Sequence, residues 1–180
     1  MAAADPPYKG TYVRDLDTRW VHEERLEFGA LSVAYTVSME RGAPELYATH
    51  PVADLRDHIK QSWQEVQRYA ARHGFRPADC RPYYMLHIFV ISEHEMFDTG
   101  RFDDFKKRRG LSDRAIFGLY DSTLERRGDN NLIVSNINPK ENALTMQHEL
   151  FHYWWDRLCL ARHLDRGTEY HATQFERWIW

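Results

Sequence analysis

The chain has 180 residues, 43% of them hydrophobic and 28% charged, with 24 Lys+Arg against 27 Asp+Glu and a formal net charge of -3. This is the size and composition of one globular domain, and it excludes both a disordered tail and a strongly basic surface built for nucleic acid. Charges interrupt every apolar run well short of the ~18 residues that a membrane-spanning helix needs, so no membrane partner is expected. The first residues, Met1-Ala-Ala-Ala-Asp5-Pro6-Pro7, carry neither a basic nor an apolar leader segment, which makes the cytoplasm the expected location. Residues 1–10 are expected to form a flexible tail and 11–180 a single domain. Cys80 and Cys159 allow at most one bridge; two reduced, buried thiols are expected, with Cys159 in a packing role.

Along the chain, residues 26–37 (LEFGALSVAYTV) suggest a strand or hairpin with Gly29 as a bulge. Apolar residues at three- and four-residue steps from Val52 to His73 predict a helix that Gly74 stops. The run from Tyr83 to Ser92 is dense enough for a central strand buried on both faces, and Ala115 to Tyr120 reads the same way. Between them, Phe102 and Phe105 precede Lys106-Lys107-Arg108-Arg109 and Gly110, the pattern of a short helix with a solvated basic end. His94-Glu95-Met96-Phe97-Asp98 reads as a solvated loop. Arg126 to Asn131 is turn chemistry, and Leu132 to Ser135 is a short strand with an edge free to pair with a peptide. Two helices complete the chain, one from about Glu141 to about Arg162 and one from about Thr168 onward, broken at Gly167. The order predicts an α+β domain, a small mixed sheet backed by helices.

The chemistry concentrates in His148-Glu149-Leu150-Phe151-His152, an HExxH sequence inside the first of these helices. Residues four apart lie about one turn apart on a helix, so both imidazoles leave one face and can grip one ion, with Glu149 beside its open position. Leu144, Phe151, Trp155 and Leu158 form the stripe expected to bury that helix. Imidazole suits Zn²⁺, whose bound water has a pKa near 7, and Glu149 could carry the proton to a leaving amine as general base and then acid.

HELFHYWWD resembles the active helix of gluzincin metallopeptidases, and Glu169-Tyr170-His171-Ala172-Thr173-Gln174-Phe175-Glu176 is similar to the third-ligand helix of the zinc aminopeptidase branch. The resemblance implies a minimal zincin-like metallopeptidase domain that hydrolyses peptides or proteins, with Zn²⁺ on His148, His152 and Glu169 and with Glu149 as general base. Leu158 stands where a metzincin places its third histidine. A Gly-x-Met-Glu-Asn strand for a free amino terminus is absent, so cleavage is expected inside peptides. Thr173 stands where thermolysin-type enzymes carry an orienting aspartate, and Asp156, Thr173, Tyr170 and His171 are the candidate supporting or transition-state groups, joined by Tyr153 and His163.

Glu176 is the alternative third ligand. A helix unbroken to His163 would climb about 16 Å beyond His152 and favour Glu176, whereas an end near Leu158 to Leu160 would let the chain fold back and present Glu169. The competing functional expectation is a catalytically inactive zincin-like domain that binds a protein and uses its metal structurally. Trp178-Ile179-Trp180 would expose apolar area unless a partner or second copy covers it.

Overall fold

Alternation of apolar and polar positions between residues 18 and 40 folds this stretch as a hairpin: β1 (Thr18–Phe28) pairs antiparallel with β2 (Leu31–Glu40). Gly29, at φ +68°, lies in the turn between them, where a Cβ would be strained, and the register shift falls instead between Trp20 and His22. The expected bulge at Gly29 is thus the turn itself. α1 (His50–Arg72) crosses over to β3 (Met85–Ile91), followed by one π-helical turn at His94–Asp98, α2 (Asp103–Arg108), β4 (Gly118–Ser122), β5 (Asp129–Ser135), α3 (Ala143–Arg157) and α4 (Thr168–Ile179). The computed structural model describes residues 12–13, 15–41, 50–82, 85–111, 117–122, 129–135 and 143–179, with 50–53, 122 and 129–135 described by backbone alone. Tyr83, Tyr84, Ala115, Ile116, residues 126–128, Glu141, Trp180 and the expected tail at 1–10 lie outside them.

The five strands form one mixed sheet in the order β1-β2-β3-β5-β4. β2, β3 and β5 run parallel, and β1 and β4 are antiparallel edges. Two expectations change here. The 132–135 segment is not an edge, because β3 takes one side of β5 and β4 the other. The apolar run ending at Tyr120 is not a central strand but the edge β4; it reads as central because both of its faces are covered. Asp129, Asn130 and Asn131 belong to β5, where pairing with Met85 to His87 overrides their turn preference.

One sheet face presents Val33, Tyr35, Val37 and Met39 of β2 with Leu86, Ile88 and Val90 of β3 to Leu55 and Ile59 of α1, Leu150 and Trp154 of α3 and Phe175 of α4. On the other face Phe89, Ile91 and Leu119 are covered by Val13, Leu16, Met96 and Phe102. The buried residues of α3 are Met146, Gln147, Leu150, Phe151, His152, Tyr153, Trp154 and Arg157; of the expected stripe, Phe151 and Leu158 are in the core and Trp155 packs against it, while Leu144 is exposed. Trp154 Nε1 donates to Ser62 Oγ (2.8 Å), which satisfies the indole in the core. Trp178 and Ile179 pack partly buried on the same core rather than forming a free patch. No described helix is long and apolar enough to cross a membrane.

α3 stops at Arg157, short of the expected end near Arg162, for reasons remote in sequence. The Arg157 carbonyl accepts the amides of Cys80 and Arg81 (both 3.1 Å), and Cys159 turns into the left-handed region at φ +50°. The buried Arg157 guanidinium spans both Asp79 carboxylate oxygens (2.7 and 2.8 Å), the Tyr153 hydroxyl (3.0 Å) and the Ser32 carbonyl (2.6 Å). Cys80 and Cys159 are bonded as a disulfide, Cα to Cα 5.9 Å, which corrects the expectation of two reduced thiols. Spacing in sequence said nothing of this contact, because the fold alone brings positions 79 apart together.

Candidate metal centre

α3 presents His148 and His152 one turn apart, and their Nε2 atoms lie 3.3 Å from each other. The early end of α3 and a single 3-10 turn at Leu160–Arg162 return the chain so that the first turn of α4 faces them. Glu169 Oε2 lies 3.4 Å from His148 Nε2, and Glu169 Oε1 lies 3.4 Å from His152 Nε2. The Glu169 carboxylate thus turns one oxygen toward each imidazole, and one ligand atom from each of the three residues lies within 4.8 Å of the others. Among the described residues this is the one group of His, Cys, Asp and Glu side chains whose ligand atoms converge in this way, and it could hold a metal ion.

The far side of each imidazole is also engaged. His148 Nδ1 lies 3.1 Å from Glu176 Oε2 and His152 Nδ1 lies 2.8 Å from Thr168 Oγ1. With the proton on Nδ1, each ring donates to that oxygen and turns the lone pair of Nε2 toward the shared centre. Glu176 is therefore a support of His148, and Glu169 takes the position nearest the two Nε2 atoms. Thr168 does double duty: it begins α4 and orients His152.

Electrostatics follow from this packing. Burial pulls the His148 imidazole down, but Glu169 and Glu176 as hydrogen-bond partners and the charges of Glu149 and Glu169 outweigh it, and its pKa is pushed up to about 9. Hydrogen bonds to both imidazoles hold Glu169 well below the usual carboxylate range. Burial pushes Glu149 up, against the pull of His152 and His148. A carboxylate raised in this way is suited to taking and returning a proton.

β4 sets the wall behind Glu149. A Cβ on Gly118 would come within 2.9 Å of Glu149 Cγ and 2.8 Å of Thr145 Cγ2, so the strand approaches α3 as closely as it does because this position is glycine. The backbone N–H of Tyr120 donates to the Glu149 carboxylate. Alternation puts the Tyr120 ring on the same side, stacked against His152 with centroids 6.1 Å apart and planes 12° apart, while its hydroxyl donates to Asp156 Oδ2 (2.9 Å). Asp156 thus acts on the site through Tyr120.

The other candidates separate. His171 is buried and accepts the Tyr69 hydroxyl at Nδ1 (2.7 Å), facing the core. Tyr170 is exposed with the Arg166 guanidinium 4.4 Å from its ring centroid. Thr173 is half-buried on α4. His163 stacks on Phe75 and Tyr153 bonds Arg157, both as packing. His94 sits on an exposed π-helical turn with Asp98, where a loop was expected, and the buried Met96 pins that turn. Sequence reasoning missed Thr168 as a histidine partner and missed Gly118 and Tyr120; the glycine inside an apolar strand was the one local signal of close approach.

Compared with models of protein families, with curated proteins and with solved structures, the chain finds no match in any of the three.

Proposed function

We propose that the chain is a small zinc-dependent metallopeptidase of zincin-like architecture that resembles the gluzincins and hydrolyses peptide bonds within peptides or proteins. The observation that carries this reading is the convergence of His148, His152 and Glu169, with the two Nε2 atoms 3.3 Å apart and a Glu169 oxygen 3.4 Å from each, and with Glu149 alongside on the same helix. Two imidazoles and one carboxylate form the nitrogen- and oxygen-rich, three-ligand set that suits Zn²⁺ and leaves a coordination position for chemistry. Zinc, when bound, supplies the Lewis acidity that polarises a carbonyl and acidifies water. Glu149 takes the proton of the attacking water and returns it to the departing amine. Tyr120 and Thr168 hold His152, and Glu176 holds His148, so both rings keep their Nε2 atoms on the shared centre.

An extended peptide would run along β4, the strand beside Glu149, whose outer side has no neighbouring strand among the described residues. The sequence lacks the Gly-x-Met-Glu-Asn strand with which an aminopeptidase binds a terminal amine, so acetylating a substrate's N-terminus is expected to leave the rate unchanged. The Cys80–Cys159 bond fits an oxidising compartment better than the cytoplasm.

The deciding experiment pairs the wild type with Glu149→Gln on a broad peptide library, with zinc content measured in both. Retained zinc with hydrolysis lost by at least a hundredfold is expected. Equal turnover in the two proteins overturns the mechanism, and zinc without turnover in either assigns the chain to the non-catalytic, partner-binding reading.

A further inference from the structure

The basic run at the end of α2 has a location that a solvated helix end does not explain. α2 is anchored from below: Phe102 is buried in the second core cluster and lies 5.6 Å, centroid to centroid, from Tyr12. Its last turn therefore sits on a fixed platform, and Gly110 at φ +66° ends it. Burial raises the Asp121 carboxyl of β4, and the charge of Arg108 is near enough to offset part of that rise. Arg109 reaches the other way: its Nη1 lies 3.5 Å from Glu169 Oε1, the same oxygen that faces His152. The Arg109 guanidinium lies 5.6 Å from the Phe105 ring centroid and its side chain is 50% exposed. The turn thus spans from the edge strand to the first turn of α4, at the mouth of the metal centre.

At 3.5 Å and half exposed, the Arg109–Glu169 contact is a weak ion pair. A Glu169 that shares its charge with a metal ion needs that pair still less. What stays is a planar cation beside the open centre, shaped to accept a carboxylate through parallel N–H donors. Building on the peptidase reading above, we propose that Arg109 is a specificity-determining residue that binds a peptide carboxylate, carried by an acidic side chain or by a free C-terminus, next to the bond positioned at the metal centre.

The test uses zinc-loaded Glu149→Gln protein, so that binding is read without turnover. Blocked alanine-rich hexapeptides with one glutamate walked through every position are compared with their glutamine isosteres, and a second arm compares free-acid with amidated C-termini. Calorimetry is expected to show about tenfold tighter binding for carboxylates at one or two positions, with the arm that responds naming the source. Adding Arg109→Ala should erase the preference, Arg109→Lys should keep part of it, and zinc affinity should not fall in either. Equal binding of acidic and neutral peptides, a preference that survives Arg109→Ala, or a uniform loss of zinc and of all peptides each overturns the proposal, the last by reducing Arg109 to a prop for Glu169. Turnover by the wild type is scored separately, so failure of the hydrolase reading is told apart from failure of the carboxylate site.

Discussion

Thr168 Oγ1 lies 2.8 Å from His152 Nδ1, and Thr168 is the first residue of α4, so one hydroxyl ties the start of the helix that carries Glu169 to the ring of a residue on α3. Replacing it by valine keeps the shape and removes the acceptor. Thr168→Val is expected to lower zinc affinity by about 10- to 100-fold, the usual cost of losing a partner behind a ligand histidine, while Thr168→Ser keeps it near wild type. Competition against a zinc-chelating dye measures both.

Glu169 and Glu176 are seven positions apart on one helix and serve the same histidine from opposite ring nitrogens. Glu169→Gln should therefore weaken zinc binding far more than Glu176→Gln, which should cost about tenfold. The reverse order would make Glu176 the ligand and Glu169 its support.

Gly118 leaves room for Glu149 and for nothing else. Gly118→Ala places a methyl within 3 Å of Glu149 Cγ and Thr145 Cγ2, and one of strand, helix or carboxylate must move. The expected stability loss is about 1–3 kcal/mol. The expected kinetic effect is a drop in kcat of at least tenfold with zinc retained, because the carboxylate moves and the ligands do not.

The histidines make metal binding depend on pH in a defined direction. His148 has its pKa raised from 6.5 to about 9, so at neutral pH the metal-free protein holds a proton there that a cation must displace. Zinc affinity should rise about tenfold per pH unit between pH 7 and 9. Stability of the metal-free protein should move the opposite way. The His148 contribution is complete below 6.5, its ordinary value, and is lost as the pH climbs through about 9; the Glu169 contribution is present above 4.5 and is lost in acid. Glu149, raised by burial, adds a loss of stability that sets in as the pH rises above 4.5. Urea midpoints of the metal-free protein should fall between pH 6 and pH 9.5, and a rise would contradict this assignment.

The disulfide closes a separation of 79 residues, for which chain entropy gives about 4.5 kcal/mol. A Cys80→Ser, Cys159→Ser double variant should unfold at correspondingly lower denaturant yet still fold, because Arg157 and its bonds to Asp79 hold the same junction.

What could be read from the sequence divides along locality. His148, Glu149 and His152 were legible because a helix alone sets their relation, and α1 and α4 were legible because a 3.6-residue period needs no partner. The choice between Glu169 and Glu176 hung on where α3 stops. That stop comes from Cys80, Arg81 and Asp79, far upstream, so no local signal near Arg157 announces it. β4 was mistaken for a central strand because hydrophobic density records how many faces are covered and not which neighbours supply the hydrogen bonds. The basic end of α2 was read as solvated, and Lys107, Arg108 and Arg109 are exposed; what the sequence did not show is that Arg109 also lies 3.5 Å from Glu169, because the packing of Phe102 places that end of α2 near α4.

The junction around Arg157 also orders events in time. His148 and His152 come together whenever α3 winds, a local step on the microsecond scale. Glu169 joins them only after the 79–82 segment has docked and turned the chain back, which requires contacts across much of the polypeptide. The three-donor cluster is therefore expected to assemble only once that junction has closed. A spectroscopic ion such as Co²⁺, whose absorption changes with its ligand set, would then act as a clock on refolding, reporting the moment the distant halves of the chain have found each other.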